Sequence, residues 1–454
     1  AAIRAAEPRI TKTIDKRECQ YITIPDLFSR PRCHPFGQAI VTMPRAIAGK
    51  THRPSAAARP AMSGRGSKQT DVRVHNEQLL LSLVRQHGAL AKADIARLTG
   101  LSPQTVSVIM RRLEDEGLLV RQAPVRGRVG QPSIPMTLAP DGVYSLGLKI
   151  GRRSVELVLM DFVGTVRRTR RRSYAWPLPG AILAFAKAEI ASLLKTLPPS
   201  HRKRIAGLGI ASPFELWNWA EEVGAPPAEM DAWRESDLLT ELESSLPFPV
   251  LMQNDATSAC VAEVVFGRGS DYRDFFYFFI GFFIGGGVVI NGSVFTGSGG
   301  NAGAIGSMPV PGPESRPVQL IDAASVHMLE TRLKAARIDP TPLWRQPQDW
   351  GGLDPHLGAW IAEIAAPLAH AIVATSSVID FPAVIIDGGF PPEVRQRIVA
   401  ATKAAMLKLD LKGIQAPAIV EGEVGPDARA IGGACLPLLN RYILDQTQFV
   451  KEAV

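Results

Sequence analysis

One pattern restricts the fold of this chain more than any other, and it occurs twice. VYSLGLKIG, VELVLMDFVG and TVRRTRRRSYAW (143–176) read as successive strands of a meander. They precede the amphipathic helix AILAFAKAEIASLLKTL, the buried strand RIAGLGIASP and the strand-helix pair PVLMQNDATSACVAEVVFG. At residue 275 the series restarts: FFYFFIG as a strand, GGGVVINGSVF as a hairpin turning at Asn291-Gly292, then helices, the strand AVIIDGG and another helix. An Asn-Gly pair between apolar runs is a strong two-residue hairpin signal. Meanders that give way to strands alternating with helices require sheets covered by helices. Two such halves predict a two-lobed α/β body, and bodies of this kind bind ligands at strand ends in the cleft. The Trp-rich stretch 214–236 is expected to be irregular.

A chain of 454 residues with 46% apolar content has core enough for two or three domains. Cys19, Cys33, Cys260 and Cys435 are scattered without metal-ligand spacing, which fits reduced thiols and neither a disulfide framework nor a zinc cluster. The greasiest window, 275–290, is broken by Gly281 and Gly285–Gly287 and is too short to span a bilayer. With no secretory pattern at the start, a cytoplasmic protein without a membrane partner is expected. Charge is unevenly divided: residues 1–140 hold 22 Lys and Arg against 10 Asp and Glu, while the remaining 314 hold 29 against 33. The basic end is the part expected to meet a polyanion.

Residues 1–72, rich in Arg, Pro, Ala and Ser without periodicity, are expected to be a disordered basic tail. It is either an arm that touches DNA or sequence upstream of the native start, since Met43 and Met62 lie shortly before the first helix. Residues 73–140 change character. NEQLLLSLVRQHG offers Asn76 as an N-cap and Gly88 as a stop, KADIARLTG is a second helix, and SPQTVSVIMRRLEDEGLL starts with Ser102 as N-cap and Pro103 at the first helical position. Three short helices with a Thr-Gly-Leu turn make a helix-turn-helix pattern. The sequel LLVRQAPVRGRVGQPSIPMTLAP suits a winged hairpin carrying Arg121, Arg126 and Arg128 along a phosphate backbone. A plain three-helix bundle shares the apolar spacing. DNA binding is favoured by the polar face of the third helix, which offers Ser102, Gln104, Thr105, Ser107, Arg111 and Arg112, with Val108 beside them.

A winged helix joined to a body bearing LGLKIG, QNDAT, IGGGVVINGSVFTGSGGNAGAIGSMPV, VIIDGG and DARAIGGA resembles the ROK family over residues 74–445. In that family sugar kinases and sugar-responsive repressors share an actin-like (RNase H-like, ASKHA) ATPase fold. The resemblance implies an α/β chain with an N-terminal winged helix-turn-helix and a two-lobed actin-like body. The first lobe is expected over 141–265 and the second over 266–454, with the C-terminal helix returning to the first. The kinases begin their first hairpin Asp-x-Gly-Gly-Thr; the matching residues here are Lys149, Ile150, Gly151, Arg152 and Arg153. At the second phosphate turn they carry Gly-Thr-Gly, matched here by Gly281, Phe282 and Phe283. A phosphate needs backbone approach and hydrogen-bond donors at such loops, so a competent ATP site, and hence catalysis, is not expected.

Sugar recognition is expected to survive in part. The resemblance places effector contacts at Asn254, Asp255, Ser212, Gly300, Asn301 and Gly303, although Asn254 and Asp255 equally suit a helix cap. The family's Glu-x-Gly-His is replaced by Ala304, Ile305, Gly306 and Ser307, and PVPGPESRPVQLIDAAS lacks the zinc cysteines, so no metal and no cofactor are expected. Trp217, Trp219 and Trp233 either line the cleft or pack between the lobes. VIIDGG and DARAIGGA are read as scaffold. The expected function is transcriptional regulation, by repression, of carbohydrate-related genes, with operator DNA and a small carbohydrate-like effector as partners and a homodimer or homotetramer as the assembly. The rival readings are a carbohydrate kinase with a fused DNA-binding domain and a regulator that needs no effector.

Overall fold

The computed structural model describes residues 68–125, 133–312 and 316–444. Residues 1–67 of the expected tail, and Arg126 and Arg128 of the expected wing, lie outside the described residues.

The chain begins with α1 (Lys68–His87), α2 (Lys92–Thr99) and α3 (Pro103–Asp115), followed by the two-stranded wing base of β1 (Leu119–Arg121) and β2 (Met136–Leu138). β1 and β2 pair antiparallel with Leu119 opposite Leu138. Asn76 is not a cap: α1 starts eight residues earlier, inside what was expected to be tail. No Gly or Pro interrupts 68–87 and Arg73 pairs with Glu77 one turn on, so the helix continues through the cap signal. The cap at Ser102 does form, its Oγ accepting the Thr105 N–H at 3.1 Å, with Pro103 at the first position.

The first lobe comprises β3 (Tyr144–Ile150), β4 (Ser154–Asp161), β5 (Val166–Ser173), α4 (Pro179–Thr196), α5 (Pro199–Arg202), β6 (Ile205–Ser212), α6 (Ala220–Val223), α7 (Pro227–Glu235), α8 (Leu238–Glu243), β7 (Val250–Asn254) and α9 (Asp255–Phe266). Its sheet runs β5-β4-β3-β6-β7. The Trp-rich stretch thus folds mostly as α6 and α7, a correction to the irregular reading; Pro227 at the start of α7 and Glu229 in its first turn favour the helix. The second lobe comprises β8 (Phe275–Ile280), β9 (Ile284–Ile290), β10 (Ser293–Phe295), the ribbon β11 (Pro309–Pro311) and β12 (Pro317–Gln319), α10 (Leu320–Ala323), α11 (Val326–Ala335), α12 (His356–Ser376), β13 (Ala383–Gly388), α13 (Pro392–Met406), β14 (Ala418–Glu421) and α14 (Ala428–Arg441). Its sheet runs β10-β9-β8-β13-β14, the same order by position as in the first lobe: third, second, first, fourth, fifth. In both, the first three strands are antiparallel and the fourth and fifth run parallel to the first.

Burial follows this topology. β3 and β6 are buried along their whole length, as central strands covered on both faces must be, whereas the edge strand β5 exposes most of its arginines. The Asn291-Gly292 turn has both residues at positive φ, 56° and 75°, as a tight hairpin requires. Helix α9 lies on β9: a Cβ at Gly285 would stand 2.5 Å from that of Ala256, and one at Gly287 2.5 Å from that of Cys260. Helix α14 returns to the first lobe, packing on β3 and β6 where Gly147 and Gly209 let its backbone approach. Helix α12 is long and apolar enough to cross a membrane, but Leu357, Trp360, Ile364, Leu368 and Ile372 bury one side in the second-lobe core.

The winged helix is continuous with the body. Leu80, Val84, Val106 and Met110 share one apolar cluster with Val158, Met160 and Phe162 of the first lobe and with Cys435 and Leu438 of α14. Polar ties reinforce it: Arg85 donates to the Val265 carbonyl at 2.6 Å, and the Leu444 N–H donates to Ser82 Oγ at 2.9 Å.

Candidate functional site

Parallel strands deliver their ends to one place. Ser212 at the end of β6 is register partner to Asn254 at the end of β7, and Asp255 begins α9 immediately after. Asn254 caps that helix, its Oδ1 accepting from the Ala256 and Thr257 N–H groups at 3.0 and 3.2 Å. Asp255, nine-tenths buried, instead reaches across to α14, where Arg429 Nη1 donates to its Oδ2 at 3.2 Å. Ser212 Oγ donates to the Pro213 carbonyl. Of the other three expected contacts, Gly300 and Gly303 take positive φ in the loop after β10, and Asn301 is exposed. Gly303 presses on β9, so that a Cβ there would stand 2.8 Å from Gly287 Cα.

The two hairpin turns expected to be spoiled phosphate loops meet between the lobes. Phe282, in the β8–β9 turn of the second lobe, is buried in the hydrophobic core of the first. It packs edge-on to Phe283 at 4.8 Å between centroids, and lies 5.0 Å from His327 and 5.6 Å from Trp344. Phe283 in turn lies 4.6 Å from Trp219. Burying one such ring is worth about 1.5–3 kcal/mol, so the turn acts as an apolar plug. Arg152, from the β3–β4 turn, reaches into the same cluster, its guanidinium carbon 4.3 Å from the Phe283 centroid and 5.1 Å from that of Trp219. Burial pulls its pKa down to about 10. Arg153 joins the lobes directly: Nη1 donates to the Ala175 and Val223 carbonyls and Nη2 to Glu330 Oε1 on α11 at 3.1 Å. Glu330 is almost wholly buried and also holds Lys334 at 2.6 Å.

Beside this bridge is a pocket of about 490 Å³ bounded by Arg153, Glu222, Val223 and Gly224 of the first lobe and His327 and Lys334 of the second. His327 Nδ1 and Glu222 Oε2 are buried without a hydrogen-bond partner among the described residues. Burial lowers the His327 pKa, partly offset by the Glu330 carboxylate. Lys149, where the kinases of the resembled family keep a carboxylate, is buried with Nζ donating to Ser154 Oγ at 2.9 Å. Desolvation, with Arg429 nearby, pulls its pKa down to about 7.

The three tryptophans separate. Trp219 faces the cleft; Trp233 is buried in the first lobe, its Nε1 donating to the Pro177 carbonyl at 2.9 Å; Trp217 packs against Arg234. Sequence reasoning did not find Glu222, His327, Glu330, Trp344 or Arg429, which reach the site only through packing of distant elements; the tryptophan cluster was the one local signal. Asp387 of VIIDGG is wholly buried, accepting from the Gly425 N–H at 2.7 Å and from Arg395, which makes it a brace between strand and loop.

On α3, Val106, Ile109, Met110 and Leu113 are buried, leaving Gln104, Val108 and Arg111 exposed and Thr105 and Ser107 half-buried. Ser102 is spent on its cap, and Lys92 donates to Ser107 Oγ at 3.2 Å. Arg112 is also exposed but ion-paired, with Glu116 four residues on at 2.8 Å and with Glu77 of α1 at 3.1 Å; Arg121, exposed too, is paired with Glu114. No group of three or more His, Cys, Asp or Glu able to hold a metal occurs among the described residues.

Comparison with known proteins agrees with this architecture. Residues 145–320 match the ROK family and residues 75–120 a winged helix-turn-helix DNA-binding family. The chain is 23% identical over 81% of its length to the uncharacterized protein y4fQ of Sinorhizobium fredii, covering 91% of that protein. It is 26% identical to the xylose repressor of Bacillus subtilis over 53% of its own length and 62% of the repressor's, so it spans about three fifths of that relative. A crystal structure of a ROK family transcriptional regulator, described as a homologue of the E. coli MLC protein, superposes with a TM-score of 0.60 at 19% identity, covering 84% of this chain and 98% of that one. At that identity the likeness speaks for the fold alone. The chain therefore carries a winged helix-turn-helix followed by a ROK family domain.

Proposed function

We propose that this chain is a DNA-binding transcriptional regulator, a repressor of carbohydrate-related genes, whose body senses a small carbohydrate-like effector between its lobes and performs no phosphoryl transfer. The observation that carries the reading is the plug. Phe282, Phe283 and Arg152 fill the meeting point of the hairpin turns, while the third helix of the helix-turn-helix leaves Gln104, Val108 and Arg111 exposed. Phosphoryl transfer depends on positioning phosphates and metal, and the side chains of this aromatic turn offer no hydrogen-bond donor. Relatives named as repressors, such as the xylose repressor of Bacillus subtilis, support the same reading.

In this reading operator DNA is contacted by Gln104, Thr105, Ser107 and Arg111 at base edges and by Arg126 and Arg128 along the phosphates, with Ser102 and Arg112 holding α3 in place. The effector lies in the interlobe cleft walled by Ser212, Asn254, Asp255 and the loop Gly300–Gly303. The protein acts in the cytoplasm as a homodimer or homotetramer, with recognition helices roughly 34–36 Å apart. The test is a fluorescence-anisotropy titration on operator DNA across salt. Arg126→Ala with Arg128→Ala weakens binding to all sequences and reduces the salt slope by about 0.9 for each phosphate no longer neutralised. Gln104→Ala or Arg111→Ala changes sequence preference at a cost of about 1–3 kcal/mol, whereas Arg112→Ala lowers the stability of the α1–α3 packing first. ATP hydrolysis in the presence of any sugar, abolished by Asp255→Asn, would favour the kinase instead.

A further inference from the structure

Arg152 stands apart from the other cations around the cleft. Arg153 is held by Glu330, Arg429 by Asp255, Lys334 by Glu330 and Lys149 by Ser154. Arg152 is nine-tenths buried, its Nε has no hydrogen-bond partner, and it makes no ion pair among the described residues. Its company is aromatic: Phe283 and Trp219, with Phe282 at 6.0 Å. An aromatic face satisfies part of a guanidinium's charge but none of its five N–H donors, which radiate in the plane of the group. Leaving such a group buried and unpaired costs several kcal/mol in general, and a protein that needed only a plug would be served by a methionine or leucine.

We infer that Arg152 is the seat for an oxyanion, a phosphate or carboxylate carried by the carbohydrate-like effector, held edge-on by the guanidinium while Trp219 and Phe283 fix its plane. The inference rests on the effector reading above and names the class of that effector: a sugar phosphate or a sugar acid. Lys149 and Arg429 act on one another electrostatically and Arg429 acts on Arg152 in the same way; of the carboxylates that act on these groups, Glu156 is bonded to Arg171 and Asp255 to Arg429, and Glu222 acts on Arg152. The pocket of about 490 Å³ is lined by Arg153, the residue after Arg152, and by Glu222, which acts on Arg152 electrostatically; Arg152 itself is not among its lining. That volume is within the range that holds a small ligand.

The test uses the full chain, with thermal shift and calorimetric titration of D-glucose 6-phosphate, D-glucuronate, inorganic phosphate and D-glucose. The expected result is binding of one or both anionic sugars where D-glucose has little effect. Binding should weaken as salt rises and fall by about tenfold to a hundredfold in Arg152→Met, as removal of one charge-assisted hydrogen bond implies, with Arg152→Lys between. Glucose 6-phosphate and glucuronate separate phosphate from carboxylate, and a comparable shift with inorganic phosphate alone supports the seat. The unliganded protein supplies a second readout: removal of an unpaired buried charge leaves the melting temperature of Arg152→Met equal to or above that of the parent. A lower one marks Arg152 as a latch between lobes and overturns the inference. So does equal affinity of parent and Arg152→Met, or a panel in which neutral sugars bind and anionic ones do not, an outcome that leaves the effector reading standing. A panel in which nothing binds removes the effector reading itself.

Discussion

Lys149 is a buried cation whose pKa falls from 10.5 to about 7 on folding, chiefly through desolvation. The unfolded chain therefore binds the extra proton between about pH 7 and 10.5, and the linkage relation makes stability rise with pH across that window. Below pH 7 the cost of burying the charge is present in full; above 10.5 it is absent. Lys149→Met should therefore raise the midpoint of denaturant unfolding at pH 7 and flatten its rise toward pH 10, read by urea titration at a series of pH values. An unchanged profile would remove Lys149 from the account. At this scale the sequence was informative through the resemblance: Arg152, Phe282 and Phe283 stand where the kinases of the resembled family are expected to keep small phosphate-loop residues. It was less informative about what is present. Arg112 reads as a DNA contact by position on α3; its pairing with Glu116 four residues on is local, and the structure adds Glu77 of α1. Asp255 reads as an effector contact or a helix cap, and only α14, far along the chain, brings Arg429 to it.

Among the elements, the glycine run after the aromatic strand was the ambiguous one. Gly285 and Gly287 point at α9, and their lack of side chains sets how closely that helix lies on β9. Gly287→Val forces a branched side chain against Cys260 and should cost about 1–3 kcal/mol or more, measured as a drop in unfolding free energy, without the change in DNA sequence preference expected of Gln104→Ala. A stable variant would mean that α9 can move aside. Strands and long helices were legible because apolar periodicity is local. The start of α1 and the helical fold of the Trp-rich stretch were not, because a cap-forming asparagine and a run of tryptophans and prolines carry signals that the surrounding packing overrides.

At the level of the molecule, the two-lobed duplication was legible from the repeat of strand and helix patterns, whereas the strand order within each sheet and the docking of the winged helix were not. Leu438 illustrates why: it is a residue of α14 almost wholly buried in a cluster made jointly by the winged helix and the first lobe. Leu438→Ala should destabilise by about 2–5 kcal/mol and raise amide hydrogen exchange together in α1, α3 and β4. A fall in protection in one part alone would show that they open separately.

Helix α14 has a further consequence. It is anchored near its first turn by Arg429 to Asp255 in the cleft, and its far end carries the Arg441 carbonyl that accepts from Gln78 of α1. Fourteen residues make a rod about 21 Å long, so a tilt of about 5° at the cleft end swings the other end by about 2 Å. In the homodimer proposed above, a shift of that size in each protomer would change the separation of the two recognition helices by about twice as much.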